Sequence, residues 1–227
     1  MSKMIKTTLA EQAYQELRSR IVSGKLLGGT RLLPTELASD LGISPTPVKE
    51  ACMMLEADGL VVSSSRRGMM VRQFTEVDVD ELYDARMMLE KSALEWAFAN
   101  NRITGEFLAE LKENFEGHRK FASGETLDEL SMALSYDRKF HRQLVAAGGV
   151  GMVTEWHERT LRQTHTVFVS VSGNYERSVA QHSDILDALA ANSLSQSIEA
   201  LNQHLTLSRD NTLLQIKKLK QQTEMPD

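Results

Sequence analysis

The sequence predicts a mainly α protein, an N-terminal winged helix-turn-helix followed by an antiparallel bundle of six helices. Three observations predict it. A short helical pattern at residues 35–41, a glycine turn at 42–44 and a second helical pattern from 45 to about 58 form a helix-turn-helix signature. A β-branched run at 60–64, an Arg-Gly turn and an apolar run at 69–74 read as a two-strand hairpin. From Thr75 onward strand signals disappear, and amphipathic segments follow one another.

The first helix is set by Leu9, Ala13, Leu17 and Ile21, which recur at helical spacing until Ser23-Gly24 stops the pattern. After a turn at Gly28-Gly29, Leu37, Ala38 and Leu41 give the next helix its inward face. The third has a chemically specified start: Ser44 is placed to cap it, and Pro45 and Pro47 fall where backbone N–H groups lack an intrahelical partner. Its inner stripe is Val48, Ala51, Cys52 and Leu55. The hairpin turns on Ser65-Arg66-Arg67-Gly68, a basic wing tip. Further helices are expected at about 76–100, 104–122, 126–146, 150–171, 175–191 and 194–220. The breaks are Asn100-Asn101, Gly124, Gly148-Gly149, Gly173-Asn174 and Asn192-Ser193, all turn formers. Two domains follow, 1–74 and 75–227.

The composition, 41% hydrophobic and 25% charged, is that of folded material. The net charge of −5 is unevenly divided. Residues 1–74 hold ten Lys+Arg against seven Asp+Glu, leaving 16 against 24 for the rest, so the head carries +3 and the body −8. That sign suits a nucleic-acid-binding head on an acidic body. One cysteine, Cys52, excludes an intrachain disulfide framework and suits a reducing cytoplasm. At its buried helix position it reads as a small hydrophobe, not a redox switch. No apolar run approaches the ~18 residues of a membrane span, and polar Thr7 and Thr8 sit where a signal peptide needs its apolar core. The paired methionines Met53-Met54, Met69-Met70 and Met87-Met88 read as adaptable packing.

The motifs together resemble the GntR family of regulators, in its FadR-like branch with an FCD effector domain. In the head the resemblance rests on Tyr14, Leu17, Ile21, Gly24, Arg31-Leu32, Glu36-Leu37-Ala38, residues 41–44, 46–51, Leu55, 59–61 and Arg67-Gly68. In the body it rests on Arg86-x-x-Leu89-Glu90, Asp137-x-x-Phe140-His141-x-x-Leu144, His182-x-x-Ile185-Leu186-x-Ala188-Leu189 and His204-Leu205. Six body helices place the chain nearest the shorter, VanR-like form. Pro45 and Lys49 depart from the pattern, since arginine is usual at both positions, and this alters the expected operator sequence.

The resemblance implies a transcription factor rather than an enzyme: a homodimeric repressor of operator DNA with no membrane role. Arg31, Ser44, Thr46, Lys49, Arg66, Arg67 and Gly68 are its expected DNA-binding residues, the helix from Pro45 entering the major groove and the wing touching phosphate or minor groove. Asp137 and His141 are four apart, so one helix face presents both to a single ion. With His182 and His204 they make the Asp-His-His-His set that the resemblance assigns to a divalent transition metal. Zn²⁺ ranks first, with Ni²⁺, Fe²⁺, Co²⁺ and Mn²⁺ also suited to such donors. Arg86, among apolar neighbours, is costly to bury unpaired and is expected to grip a small carboxylate effector. An internal salt bridge to Glu90 is the alternative for Arg86. Two other functions compete: a metal sensor without organic effector, and a metalloenzyme fused to a DNA-binding head. His118, His157 and His165 are expected to be structural.

Overall fold

The computed structural model describes residues 7–22, 25–64, 68–124, 126–171 and 176–223. The chain divides into two compact units, Met1–Phe74 and Thr75–Asp227. The first contains α1 (Leu9–Val22), β1 (Arg31–Leu32), α2 (Pro34–Leu41), α3 (Pro45–Ala57), β2 (Val61–Ser64) and β3 (Gly68–Val71). Its core gathers Ala13, Leu17 and Ile21 of α1, Ala38 of α2, and Val48, Ala51, Cys52 and Leu55 of α3. Leu32, Val61 and Val71 close the core from the sheet. The Tyr14 hydroxyl donates to the Asp58 carboxylate and ties α1 to the end of α3.

The turn between α2 and α3 depends on Gly42, which ends α2 at φ 68° with its N–H directed at the last carbonyls. Ser44 is the N-cap residue of α3, but its side chain makes no capping hydrogen bond. The reason is local: a capping hydroxyl accepts from the second or third helical N–H, and Pro47, at the third position, has none. The expected two-strand hairpin is a three-stranded antiparallel sheet of order β1-β3-β2. Arg31 pairs with Met70 and Leu32 with Met69, while β2 runs from Val61 opposite Val71 to Ser64 opposite Gly68. A two-residue strand is too short for alternation to reveal it in sequence. The third strand also stops at Val71, short of Phe74. Arg66 and Arg67 lie outside the described residues.

The second unit is α4 (Glu76–Ala99), α5 (Gly105–Phe121), α6 (Leu127–Ala147), α7 (Gly151–Val171), α8 (Glu176–Ala190) and α9 (Leu194–Thr223). Threonines make the N-caps of α4, α5 and α6, and Ser193 Oγ accepts from Gln196 N–H at the start of α9. Thr75 and Asp78 form a reciprocal capping box at α4, as do Thr126 and Glu129 at α6, and Thr104 accepts from Phe107 N–H at α5. Asn101 and Asn192 turn the chain at φ 52° and 53°. The expected break at Gly173-Asn174 falls outside the described residues.

Helix α4 is the axis of this unit, packing on α6, α7 and α9, while α5 packs on α6 and α8. Its buried face reads Val79, Leu82, Tyr83, Arg86, Glu90, Ala93, Leu94 and Ala97, so two charged side chains interrupt an otherwise apolar stripe. Phe140 and Leu144 of α6, Ile185 and Leu189 of α8, and Leu201 and Leu205 of α9 complete the interior. Not every methionine packs: Met53 on α3 and Met88 on α4 are 64% and 71% exposed. No helix among the described residues is long and apolar enough to cross a membrane.

Leu55, fully buried, joins α3 to the rest of the head. Leu55→Ala should cost about 2–5 kcal/mol. In urea unfolding it should lower the head's transition, read by circular dichroism. The fluorescence transition of Trp96 and Trp156, both in the helical unit, should stay in place.

Candidate metal centre and nucleic-acid interface

Four side chains from three helices converge inside the helical unit. Helix α6 brings Asp137 and His141 one turn apart, α8 brings His182 and α9 brings His204, all buried. His141 Nε2 lies 3.1 Å from His204 Nε2 and 3.3 Å from His182 Nε2. Asp137 Oδ1 lies 3.5 Å from His182 Nε2. The three imidazoles form one group whose ligand atoms all lie within 4.8 Å of one another, and Asp137 joins it through its contact with His182.

The outer nitrogens explain why the inner ones converge. His141 Nδ1 faces Glu90 Oε2 at 2.7 Å and His204 Nδ1 faces Gln181 Oε1 at 2.9 Å, acceptors that assign each proton to Nδ1. His182 Nδ1 faces His118 Nδ1 at 3.1 Å, and His118 Nε2 in turn lies 3.3 Å from Ser178 Oγ. With His182 donating and His118 accepting, His118 Nε2–H points at the serine. All three ligand rings then carry their proton outward and aim an Nε2 lone pair at one point, beside a carboxylate oxygen. Lone pairs so close repel, and a cation relieves the repulsion.

Burial pushes His204 down to about 3, with His141 adding to the effect, and pushes His182 well below the ordinary imidazole value, with His204 adding. Burial alone would raise Asp137, but His165, His182 and His141 outweigh it and hold the carboxyl well below its usual range. Near neutral pH His182 and His204 are therefore unprotonated and Asp137 is ionised, the forms a metal requires.

The histidines expected to be structural lie around this centre. His165 Nε2 is 2.7 Å from Asp137 Oδ2, and burial brings its pKa down to about 4. His157 Nε2 is 3.0 Å from Glu90 Oε1. His118 with Asp137 and His182 forms a second group whose ligand atoms all lie within 4.8 Å, overlapping the group of His141, His182 and His204. Gln181 and Glu90 were legible at best as the neighbour of His182 and the residue four after Arg86. His118 and His165 carry no sequence signal, because their partners are distant in the chain.

Arg86 is fully engaged on one side: its Nε donates to Glu90 Oε1 at 2.8 Å, so the internal salt bridge exists. Its Nη2 is buried and has no hydrogen-bond partner among the described residues. The same guanidinium therefore pairs internally and keeps a donor in hand.

In the head, the buried stripe of α3 leaves Pro45, Thr46, Lys49, Glu50 and Met53 exposed, a continuous outer edge beginning at the helix N-terminus. Ser44 is exposed beside it. Gly68 has φ 73°, a conformation in which a side chain is strained, and Arg31 Nε passes 3.7 Å from where its Cβ would stand. Arg31 thus lies against the base of the wing. Cys52 is fully buried and burial pushes its thiol up, which makes it unreactive.

A winged helix-turn-helix unit followed by an all-helical unit is the architecture of a DNA-binding regulator. The family model for bacterial regulatory proteins of the gntR family matches residues 9–71 and the FCD domain model matches 81–207, so the chain belongs to the GntR family, with an FCD domain. It is a DNA-binding transcriptional regulator and not an enzyme. A Paenarthrobacter nicotinovorans protein named "Probable D-xylose utilization operon transcriptional repressor" is 30% identical over 206 residues, 89% of this chain and 88% of that one. The HTH-type regulator YdhC of Bacillus subtilis (strain 168) is 34% identical over 134 residues, which span 59% of this chain and 58% of that protein. A GntR regulator structure from Rhodococcus sp. RHA1 shares the fold, with TM-score 0.68 at 23% identity over 91% of this chain and 98% of that one.

The depressed imidazoles set a pH dependence. Between their folded values, about 3 for His204 and about 4 for His165, and about 6.5 in the unfolded chain, unfolding takes up protons. Stability therefore falls as pH drops below about 6.5, by on the order of 1 kcal/mol per pH unit for each group. Metal-free protein should show a lower Tm at pH 5.0 than at 7.5, and an equal Tm would contradict these shifts.

Proposed function

We propose that this regulator is a homodimeric repressor whose operator affinity is set by a small carboxylate, bound at a metal-containing pocket of the FCD domain. The observation that carries the reading is the convergence of three buried imidazoles, His141 Nε2 lying 3.1 Å from His204 Nε2 and 3.3 Å from His182 Nε2, with Asp137 Oδ1 3.5 Å from His182 Nε2. Asp137, His141, His182 and His204 would hold the ion. Zn²⁺ or a similar divalent ion, when bound, would supply a Lewis acid for an effector oxygen, which would require an added coordination position or the displacement of one protein ligand. The chain's own contribution is to present His182 and His204 unprotonated, Asp137 ionised, and Arg86 Nη2 as a buried donor for the effector's carboxylate.

Operator binding would use the outer edge of α3, with Thr46 and Lys49 at base edges and Ser44 and Arg31 at phosphate. Arg66, Arg67 and Gly68 would place the wing. Two copies match the two half-sites of a near-palindromic operator. Met88 and Trp96 on α4 and Met152 and Trp156 on α7, large apolar side chains left exposed on two packed helices, support self-association. Control follows if the effector binds one dimer arrangement better than the other, which shifts the population away from the DNA-competent form.

The Arg86–Glu90 pair favours one second reading, a metal sensor without organic effector. There the arginine would serve only as counter-ion to Glu90.

Elemental analysis decides the metal. The wild type should carry about one divalent metal per chain, and an Asp137→Ala, His182→Ala double variant should be folded and empty; no metal in the wild type after reconstitution defeats the proposal. Operator affinity that responds to metal alone, and to no carboxylate, supports the sensor instead. For the head, Lys49→Ala should weaken binding to a duplex selected from a random pool by about 1–3 kcal/mol, about 5–150-fold, with Tm unchanged. Gel-shift titration at fixed salt reads it.

A further inference from the structure

Glu90 is outside the ligand set, yet more of the centre depends on it than on any other buried side chain around the ligands. Its carboxylate is wholly buried on α4 and receives donors from three helices. Oε1 takes Arg86 Nε–H at 2.8 Å from α4 itself and His157 Nε2–H at 3.0 Å from α7. Oε2 takes His141 Nδ1–H at 2.7 Å from α6.

Each contact has a consequence. An imidazole that commits Nδ1–H to a carboxylate has its lone pair on Nε2, and the short bond fixes the plane of the ring. In His141 that Nε2 is the atom facing both His182 and His204. On the other oxygen, the bond to Nε fixes the guanidinium plane of Arg86 and so the direction of its unshared Nη2. One carboxylate thus orients a candidate metal ligand and the candidate effector donor together.

We propose that Glu90 is the positioning residue of this site: through Oε2 it aims His141 Nε2 at the metal, and through Oε1 it holds Arg86 Nη2 toward the effector. The proposal rests on the metal-and-carboxylate reading above. It adds that the ligand set alone is insufficient, because His141 without Glu90 is free to change tautomer and to rotate. With a metal held on its Nε2, His141 would be a stronger Nδ1–H donor to Glu90, so the carboxylate and the ion would reinforce each other across the ring. Because Glu90 shares its charge between His141 and Arg86, metal loading leaves the guanidinium less neutralised and more available to an anion. By linkage, an anion on Arg86 must favour the metal to the same degree.

Co²⁺ is the probe, titrated into the full chain, wild type and Glu90→Gln, and read by its visible absorption. Wild type should bind one Co²⁺ per chain, and E90Q should keep that stoichiometry with affinity about 10–100-fold weaker and shifted bands. Equal affinity and identical bands in a folded E90Q overturn the role of Glu90 and leave the metal reading standing. A wild type that binds no Co²⁺ defeats the metal reading first and the positioning role with it. Should E90Q not fold, long-range proton–nitrogen NMR of the metal-free wild type reads the same point. His141 should carry its proton on Nδ1 at a strongly downfield position, and a proton on Nε2 overturns the proposal.

Discussion

A carboxylate shut away from water at the middle of the helical domain is the constraint around which the rest is arranged. Burying Glu90 costs several kcal/mol unless its oxygens are fully partnered. Arg86 on the same helix and two imidazoles from neighbouring helices partner them. Burial alone would raise Glu90, and Arg86 and His141 together outweigh it, holding the carboxyl well below the ordinary range. Such a network adds little net stability compared with apolar packing of the same volume. Its place in the interior is best understood through what it orients.

The same logic extends one layer inward and one outward. Inward, Asp137 and three Nε2 atoms stand close together with their protons directed away. Outward, Gln181, His118 and Ser178 receive or relay those protons. In the proposed metal reading, the hydrogen bonds on the outer nitrogens would orient the rings before any ion arrives. The helices that carry it, α6, α8 and α9, are joined by α4 and α5, so a change at the centre is felt at several helix contacts. In the proposed reading, that packing is the route by which an effector would bias one arrangement of a dimer over another.

The head solves a simpler problem. A single apolar stripe anchors α3 into a small core, and everything else on that helix is left facing solvent. Pro45 and Pro47 fix the entry of the helix but remove an N–H that Ser44 would otherwise cap, which leaves the serine hydroxyl free for an outside partner. Lysine at position 49 contributes a flexible point charge where a guanidinium would offer a bidentate fork. Met53 adds an apolar surface to the same edge.

Elements whose signals are local were legible in the sequence. The helices and most of their ends follow from apolar spacing and from Thr, Asn and Gly at the boundaries. The placement of Asp137 and His141 one turn apart follows from their four-residue spacing on one helix, and the resemblance pointed to His182 and His204. Strand β1 escaped because two residues hold no period. Only the tertiary structure could decide what depends on approach between distant segments: that His118 stands behind His182, that His165 backs Asp137, and that Glu90 joins Arg86, His141 and His157. Periodicity records which face of a helix is buried, because burial averages over many neighbours. Which polar atom meets which across the core depends on the packing of particular helices, and one chain read in order carries no term for that.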